Sequence, residues 1–306
     1  MSLTVLIPTF RRPDSLKRAL ESVFNQTRTP DEIVVADNAP EASARGVVEA
    51  LAVHAPCPLA YVHAPEPGVA NARNAGFAAA AGDLVAQLDD DESASPGWLA
   101  ALDDARRETG ADVVFGPVSA EAPDHASALV KAYAGRLYDR RPAFETGEIG
   151  KPFGCGNSLI DRTRLALPDP VFDPALNETG GEDDRLFTAL ANAGAVFAWA
   201  AEAEVVEHVE GARANWSHLL KRSFAYGQGP SQTAAHLGRP LGVAGWMIVG
   251  AAQLAIYGAL AAPARLAGAG ACAAMIDRAA QGAGKLVWFD LAAPRFYGVA
   301  RLERSA

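Results

Sequence analysis

Residues 3–37 read LTVLIPTFRRPDSLKRALESVFNQTRTPDEIVVAD, and the fold class follows from this stretch. LTVLIP is a short apolar run closed by Pro8, the pattern of a parallel strand buried on both faces. Leu16, Ala19, Leu20, Val23 and Phe24 then recur at i, i+3, i+4, i+7 and i+8. That is one helical stripe, opened by Pro13 in the first turn. Glu32 to Ala36, EIVVA, is a second strand. Strand, helix and strand in so short a span make a parallel crossover unit.

Outward from this unit the alternation continues. A helix is expected over 41–53, a strand over Leu59–His63, an Ala-rich helix over 69–81, and a strand at DLVAQL (83–88). Another helix follows over 96–108, then a fifth strand at ADVVFGPV (111–118). The expectation is an α/β fold with a doubly wound, mostly parallel sheet flanked by helices. Such sheets bind ligands at the carboxyl ends of their strands. Past residue 120 the pattern loosens. A helix is expected near 125–138, then a Gly- and Pro-rich stretch leads to FGCGNSLIDR. A helix follows the acids at 182–184, a strand pair spans 195–209, and a helix covers 213–226. The domain expectation is residues 1–235, in halves 1–118 and 119–235, followed by a helical appendage over 236–306.

Leu241 to Ala262 holds no charged residue. As a helix it would be about 33 Å long, enough to cross a bilayer. A membrane helix, spanning or interfacial, stands against a buried core helix. Arg239, Arg265, Arg278 and Lys285 flank it on both sides and give no orientation. The opening MSLTVLIPTFRR lacks a basic start followed by an apolar core, so no secretory signal is expected. Cys57, Cys155 and Cys272 are widely spaced and read as reduced thiols. The net charge of -9, with no basic run, argues against nucleic acid as a partner.

QLDDDES (87–93) directly follows an apolar strand, where a parallel sheet presents its ligand. In an extended segment residues i and i+2 point the same way, so Asp89 and Asp91 are expected to aim at one ion. Hard carboxylate oxygens suit Mg²⁺ or Mn²⁺, which in turn ligate a diphosphate. The bland alternative, acids capping the next helix, is weakened by Ser95 and Pro96, which already provide a cap and first turn. Three consecutive aspartates repel one another unless a cation arrives. Asp37 ends the second strand, and Pro8, Thr9 and Phe10 end the first, along one sheet edge with Asp89. Asp37 there could accept from a nucleobase or ribose, and Phe10 offers a face to a base; the alternative is an ordinary turn aspartate. Arg73, on the apolar stripe of its helix, should pair with an acid or with phosphate. Glu182, Asp183 and Asp184 open a helix after Gly180 and Gly181, which suits both the helix dipole and close approach of a ligand. His208 in VVEHV is read as a core residue or a metal ligand, and Arg222 as a diphosphate contact or a solvated charge.

VLIPTFRRPDSLKRALESVFNQT, PDEIVVADN, PGVANARNAG, QLDDDE and GGEDDRLF, in that order, resemble the family 2 glycosyltransferases, which have the GT-A fold. FGPV and GCGNSLIDR add a resemblance to bacterial enzymes that build exopolysaccharide repeat units on a lipid carrier. The resemblance implies that Asp37 and Pro8 to Phe10 line a uracil and ribose pocket and that Arg73 supports the nucleotide. It implies that Asp89, Asp90 and Asp91 form the DxD metal motif and that Asp183 is the catalytic base of an inverting enzyme. A nucleotide-sugar donor, a UDP-sugar by this resemblance, a saccharide or lipid-linked saccharide acceptor, and a place at the cytoplasmic face of the membrane are expected with it. One departure stands out: Asn38 follows Asp37 where many members have a second acid. The competing readings are a nucleotidyltransferase, whose Gly-rich basic loop PTFRRPDS lacks, and a non-catalytic sugar-nucleotide-binding scaffold.

Overall fold

The opening apolar run forms β1 (Leu3–Thr9) in a computed structural model that describes residues 1–296. After it come α1 (Pro13–Phe24), β2 (Glu32–Asp37), α2 (Arg45–Ala52), β3 (Leu59–His63), α3 (Val69–Ala79), β4 (Leu84–Gln87) and β5 (Glu92–Ala94). The middle of the chain holds α4 (Trp98–Thr109), β6 (Val113–Phe115), β7 (Val118–Glu121), α5 (Ala128–Tyr138), β8 (Gly147–Ile149) and β9 (Ser158–Asp161). Then follow α6 (Glu182–Asn192), β10 (Phe197–Trp199), β11 (Val205–His208), α7 (Trp216–His236), α8 (Pro240–Ala261) and α9 (Ala269–Leu286). The chain packs as two compact units. One holds residues 1–119 and 140–207 with 295–296; the other holds 120–139 and 208–294.

In the first unit an eight-stranded sheet runs β3-β2-β1-β4-β9-β6-β10-β8. β1 to β4 pair in parallel, as do β6 and β10, while β9 runs antiparallel between β4 and β6. The sheet is mostly parallel and flanked by helices, as the opening stretch implied. The two-residue period of β1 sorts the core. Leu3, Val5 and Ile7 pack with Leu16, Leu20, Val23 and Trp98 on one face. Leu6 packs with Val34, Phe77 and Phe187 on the other.

Several expectations changed on folding. The strand expected over 111–118 stops at Phe115. Pro117 has no N–H for a ladder, and a side chain on Gly116 would lie 2.5 Å from the Ala203 carbonyl. The pair expected over 195–209 separates. β10 joins the large sheet, whereas β11 pairs antiparallel with β5 through Val205↔Ala94 and Glu207↔Glu92. Ser95 does not cap α4: the helix starts at Trp98 with Gly97 before it, and Ser95 offers only its backbone carbonyl to the Trp98 N–H, 3.0 Å away. β9 had no expectation, and α9 lies in the helical appendage expected over 236–306 without bounds of its own. β9 is four residues long and fully buried, too short for a periodic signal, and α9 is dominated by Ala and Gly.

The second unit is helical. A buried network crosses it: Tyr133 and Ser223 hydroxyls lie 2.8 Å apart, and Ser223 donates to Asp277 at 2.8 Å. Arg136 donates to the other Asp277 oxygen at 2.6 Å, and Gln281 donates to the first at 2.9 Å. α8 lies against α9 where two glycines meet. A Cβ on Gly250 would come within 2.7 Å of the Gly282 carbonyl, so the two backbones approach as only glycine permits.

Leu6 is fully buried, and a Cβ on Gly76 of α3 would sit 2.1 Å from its Cδ1. Leu6→Ala should therefore cost about 2–5 kcal/mol in urea denaturation. Gly76→Ala should also destabilise, and the double variant should recover part of the summed loss, because the new methyl fills the space the leucine left.

Candidate active site

β1, β2 and β4 end along one edge, since Thr9 stands opposite Asp37 and Leu6 opposite Gln87 in the parallel register. Beyond β4 the chain does not stay extended. The Glu92 N–H donates to the Asp89 carbonyl at 3.0 Å, closing a tight turn, so the alternation expected to aim Asp89 and Asp91 together does not apply. Arg12 Nη1 instead holds Asp90 at 2.9 Å and Asp91 at 2.5 Å, and Thr9 Oγ1 donates to Asp90 at 2.8 Å. Asp89 pairs with Arg73 Nη2 at 3.0 Å. Two arginines thus meet much of the demand for positive charge that the triplet creates. Burial still pushes the Asp90 carboxyl up, against the pull of Arg12. Glu92, buried beside Asp89 and Glu207, is held well above the usual carboxylate range, chiefly by burial.

Arg73 was expected to pair with an acid or with phosphate, and it pairs with acids. It is 5% exposed, and its fork reaches Glu182 at 3.2 Å and Gln87 at 3.2 Å as well as Asp89. Burial alone would lower its pKa; the neighbouring charges, Asp89 foremost, outweigh that and hold it well above its ordinary value. Glu182 is pushed up to about 7, by burial first, with Arg73 opposing.

Asp183 lies in the first turn of α6, whose N-cap Gly181 has a φ of 90° and follows Gly180 at 79°. Its Oδ2 accepts from the Cys155 N–H at 3.1 Å. A Cβ on Gly154 would lie 3.1 Å from that oxygen, and one on Gly156 would lie 2.7 Å from Glu92 Oε1 and 3.0 Å from Asp89 Oδ2. The loop 154–156 therefore threads between Asp183 and the Asp89–Glu92 turn. Arg140 fixes it by donating to the carbonyls of Gly154 at 2.9 Å, Gly116 at 3.2 Å, Gly156 and Asn157. Neither Arg140 nor this loop stood out as a site in the sequence. The signal was the glycine spacing in FGCGNS, two small residues with one side chain between them.

Asp37 is fully buried and serves its own loop. It accepts from Ala39 N at 3.0 Å, Ala44 N at 2.7 Å and Tyr61 Oη at 2.9 Å. This is the turn role weighed against a nucleobase contact. Asn38 explains the departure beside it: its amide donates to the carbonyls of Ala64 and Glu66, both at 2.7 Å, and its oxygen accepts from Gly68 N at 2.6 Å. An aspartate could not donate to those carbonyls. Thr9 is buried, Pro8 and Phe10 are half-buried, and the Arg11 guanidinium lies 5.5 Å from the Phe10 ring centre. His208 and Arg222 belong to the second unit. There His208 pairs with Glu121 at 3.4 Å, and Arg222 stacks on Tyr226 at 5.3 Å. Among the described residues no group of three or more His, Cys, Asp or Glu side chains is arranged to hold a metal ion.

Comparison with known proteins places this geometry. The family model for glycosyl transferase family 2 matches residues 4–156, and the chain belongs to that family. It is similar to the succinoglycan biosynthesis protein ExoM of Rhizobium meliloti, with 36% identity over 230 residues covering 74% of each chain. A shorter match, 36% over 96 residues, is to the uncharacterised glycosyltransferase alr2836 of Nostoc, of which it spans 30%. Among solved structures, TarS 1–349 of S. aureus in complex with UDP aligns with a TM-score of 0.52 at 18% identity. That alignment covers 72% of this chain and 64% of TarS 1–349, and it carries the fold. The chain is a family 2 glycosyltransferase with the GT-A architecture.

The Glu182 carboxyl makes a pH-dependent contribution. Its folded pKa of about 7 lies above its ordinary 4.5, so the stability it lends is full below pH 4.5 and is lost as pH rises through 7. Glu182→Gln stays neutral throughout. Urea midpoints should coincide for the two proteins at low pH, and the variant should gain on wild type by up to about 3 kcal/mol above neutrality.

Proposed function

We propose that this chain moves a sugar, with inversion, from a UDP-sugar to a hydroxyl of a saccharide or lipid-linked saccharide acceptor. The setting is assembly of a surface or exopolysaccharide at the cytoplasmic face of a membrane. The observation that carries the reading is the loop 154–156, which has Asp183 on one side and Asp89 with Glu92 on the other. A candidate base and a candidate diphosphate site thus share one short backbone segment. The relatives support the biological setting. ExoM is a succinoglycan biosynthesis protein, and TarS has been solved with UDP and with UDP-GlcNAc.

A divalent cation, Mn²⁺ or Mg²⁺, belongs to this reading, with the hard carboxylate oxygens of the Asp89–Glu92 turn as its donors. Four consecutive acids, Asp89 to Glu92, face two arginines, and burial drives Asp90 and Glu92 toward protonation. Asp89 and Asp91 are the proposed ligands; the turn does not aim them together as an extended segment would, and cations of this kind can take a single protein carboxylate with substrate phosphates supplying further ligands. When bound, the ion neutralises charge on the departing nucleoside diphosphate.

The chain's own groups carry the remaining tasks. Arg73 holds Asp89 in place through its buried fork, and Asp37 and Asn38 set the loops where a nucleobase and ribose would lie. Pro8 to Phe10 form the floor of that pocket. An acceptor hydroxyl is too weak an acid to attack unaided, so Asp183 takes its proton as the new bond forms. Glu182 is committed to Arg73 at 3.2 Å and is only 4% exposed, which keeps it from an acceptor hydroxyl.

Asp183→Asn should retain donor binding and lose transfer by about 10²-fold or more, the usual scale for a positioned base. Nucleoside diphosphate release from a panel of nucleotide sugars with Mn²⁺ measures this. Near wild-type transfer would remove Asp183 from the role, and a dead Glu182→Gln beside it would move the base by one residue. For the metal, calorimetry of UDP-sugar binding should show affinity that EDTA abolishes. Asp91→Ala should lose most of that dependence; equal affinity with and without EDTA would exclude it.

A further inference from the structure

We infer that α8 is a monotopic membrane helix, lying in the plane of an anionic lipid bilayer instead of crossing it. The inference deepens the membrane reading above and does not depend on sugar transfer. α8 contains an 18-residue window of mean hydropathy 1.6 that is only 6% buried. Its less exposed positions, Gly242, Val243, Gly250, Gln253, Tyr257 and Ala261, fall on one stripe at helical spacing. The remaining circumference is apolar and open: Leu241 is 88% exposed, Ile248 71% and Ile256 55%. A soluble surface rarely leaves so much contiguous apolar area uncovered.

Crossing is opposed by what α8 is packed on. α9 runs back along it, with the glycine contact at Gly250 and Gly282. If α8 entered the hydrocarbon as a span, α9 would follow. α9 carries Asp277, 2% exposed and tied to Arg136, Ser223 and Gln281 within the helical unit. Taking that charged network into a bilayer costs several kcal/mol or unfolds the unit. An in-plane helix leaves the network where it is and buries only the open apolar face.

Charge selects an anionic surface as the occupant. The whole chain is acidic at -9, yet residues 211–289 hold seven Lys and Arg against a single acid, the buried Asp277. No acid lies between Glu210 and Asp277. Arg239 and Arg265 bracket α8, and Arg278 donates to the Tyr257 hydroxyl on α8 at 3.2 Å. Cations at both ends give a spanning helix no preferred orientation, but an in-plane helix puts both at headgroup level on one leaflet. Trp246, 41% exposed, and Tyr257 are side chains that favour that depth.

The test uses the full chain with Cys57→Ser, no nucleotide, and preformed vesicles of phosphatidylcholine with or without phosphatidylglycerol. The protein should float with the anionic vesicles and bind them about tenfold or more tightly than neutral ones, an advantage that salt removes. Ile248→Glu with Ile256→Glu should weaken binding by about tenfold or more without lowering the urea midpoint, since both side chains are exposed. Leu241→Cys and Leu266→Cys, at opposite ends, should react alike with an impermeant maleimide added outside the vesicles. Protection of one end until detergent is added would establish a span and overturn the inference. So would a discrete dimer in solution that ignores vesicles and that the paired glutamates dissociate. Because no donor is present, vesicle binding succeeds or fails independently of the assignment of the transfer reaction.

Discussion

One buried guanidinium organises the candidate site. Arg73 leaves α3 and reaches Gln87 at the end of β4, Asp89 in the turn beyond it and Glu182 at the head of α6. These groups come from distant parts of the first unit, and no other described side chain joins all three. A buried arginine is tolerated only when its donors are used, and here the acids that use them are themselves buried or half-buried. Removing Arg73 would leave the buried Glu182 and the half-buried Asp89 without their counter-charge. The same ion pairing keeps Asp89 at the sheet edge and the first turn of α6 facing it.

The acids around this anchor are not equivalent, and their environments separate their roles. Glu182 is engaged with Arg73 and drawn toward neutrality by burial. Asp183, one residue on, takes a backbone N–H from the loop 154–156 and is only partly buried. Adjacent residues in a helix point about 100° apart, so one turn supplies both a structural carboxylate and the proposed base. The glycines of that loop matter for the same reason. Any side chain at Gly156 would collide with Glu92 and crowd Asp89, and Arg140 takes up the loop carbonyls that would otherwise lack partners.

The helical unit solves a different problem. It offers a long apolar helix to the outside while keeping a polar network within, and Ala and Gly at the α8–α9 contact let the backbones approach closely. Hydrophobicity alone did not separate a span from an interfacial or a core helix, because all three share length and composition. What distinguishes them is the neighbour that α8 rests on.

By itself the sequence determined the elements with a strong period: β1, α1, β2, β3, α3 and β4, and hence the parallel sheet and the edge at which such sheets present their ligand sites. Their burial pattern is local, two residues for a strand and 3.6 for a helix, so it is legible without neighbours. It also singled out Arg73, the aspartate triplet and Asp183, since charges on apolar stripes or after strands are conspicuous. Only the tertiary structure decided who partners whom. Asp89 to Asp91 form a turn shared by two arginines because Arg12 and Arg73 arrive from other elements, which no local pattern encodes. Asp37 accepts from its own loop and from Tyr61 of β3, Asn38 bonds the loop after β3, β9 pairs with β4 on one side and β6 on the other, and β10 and β11 part because their partners lie in different sheets. Long-range pairing of this kind depends on contacts between residues far apart in the chain, and a period read along it carries no record of them.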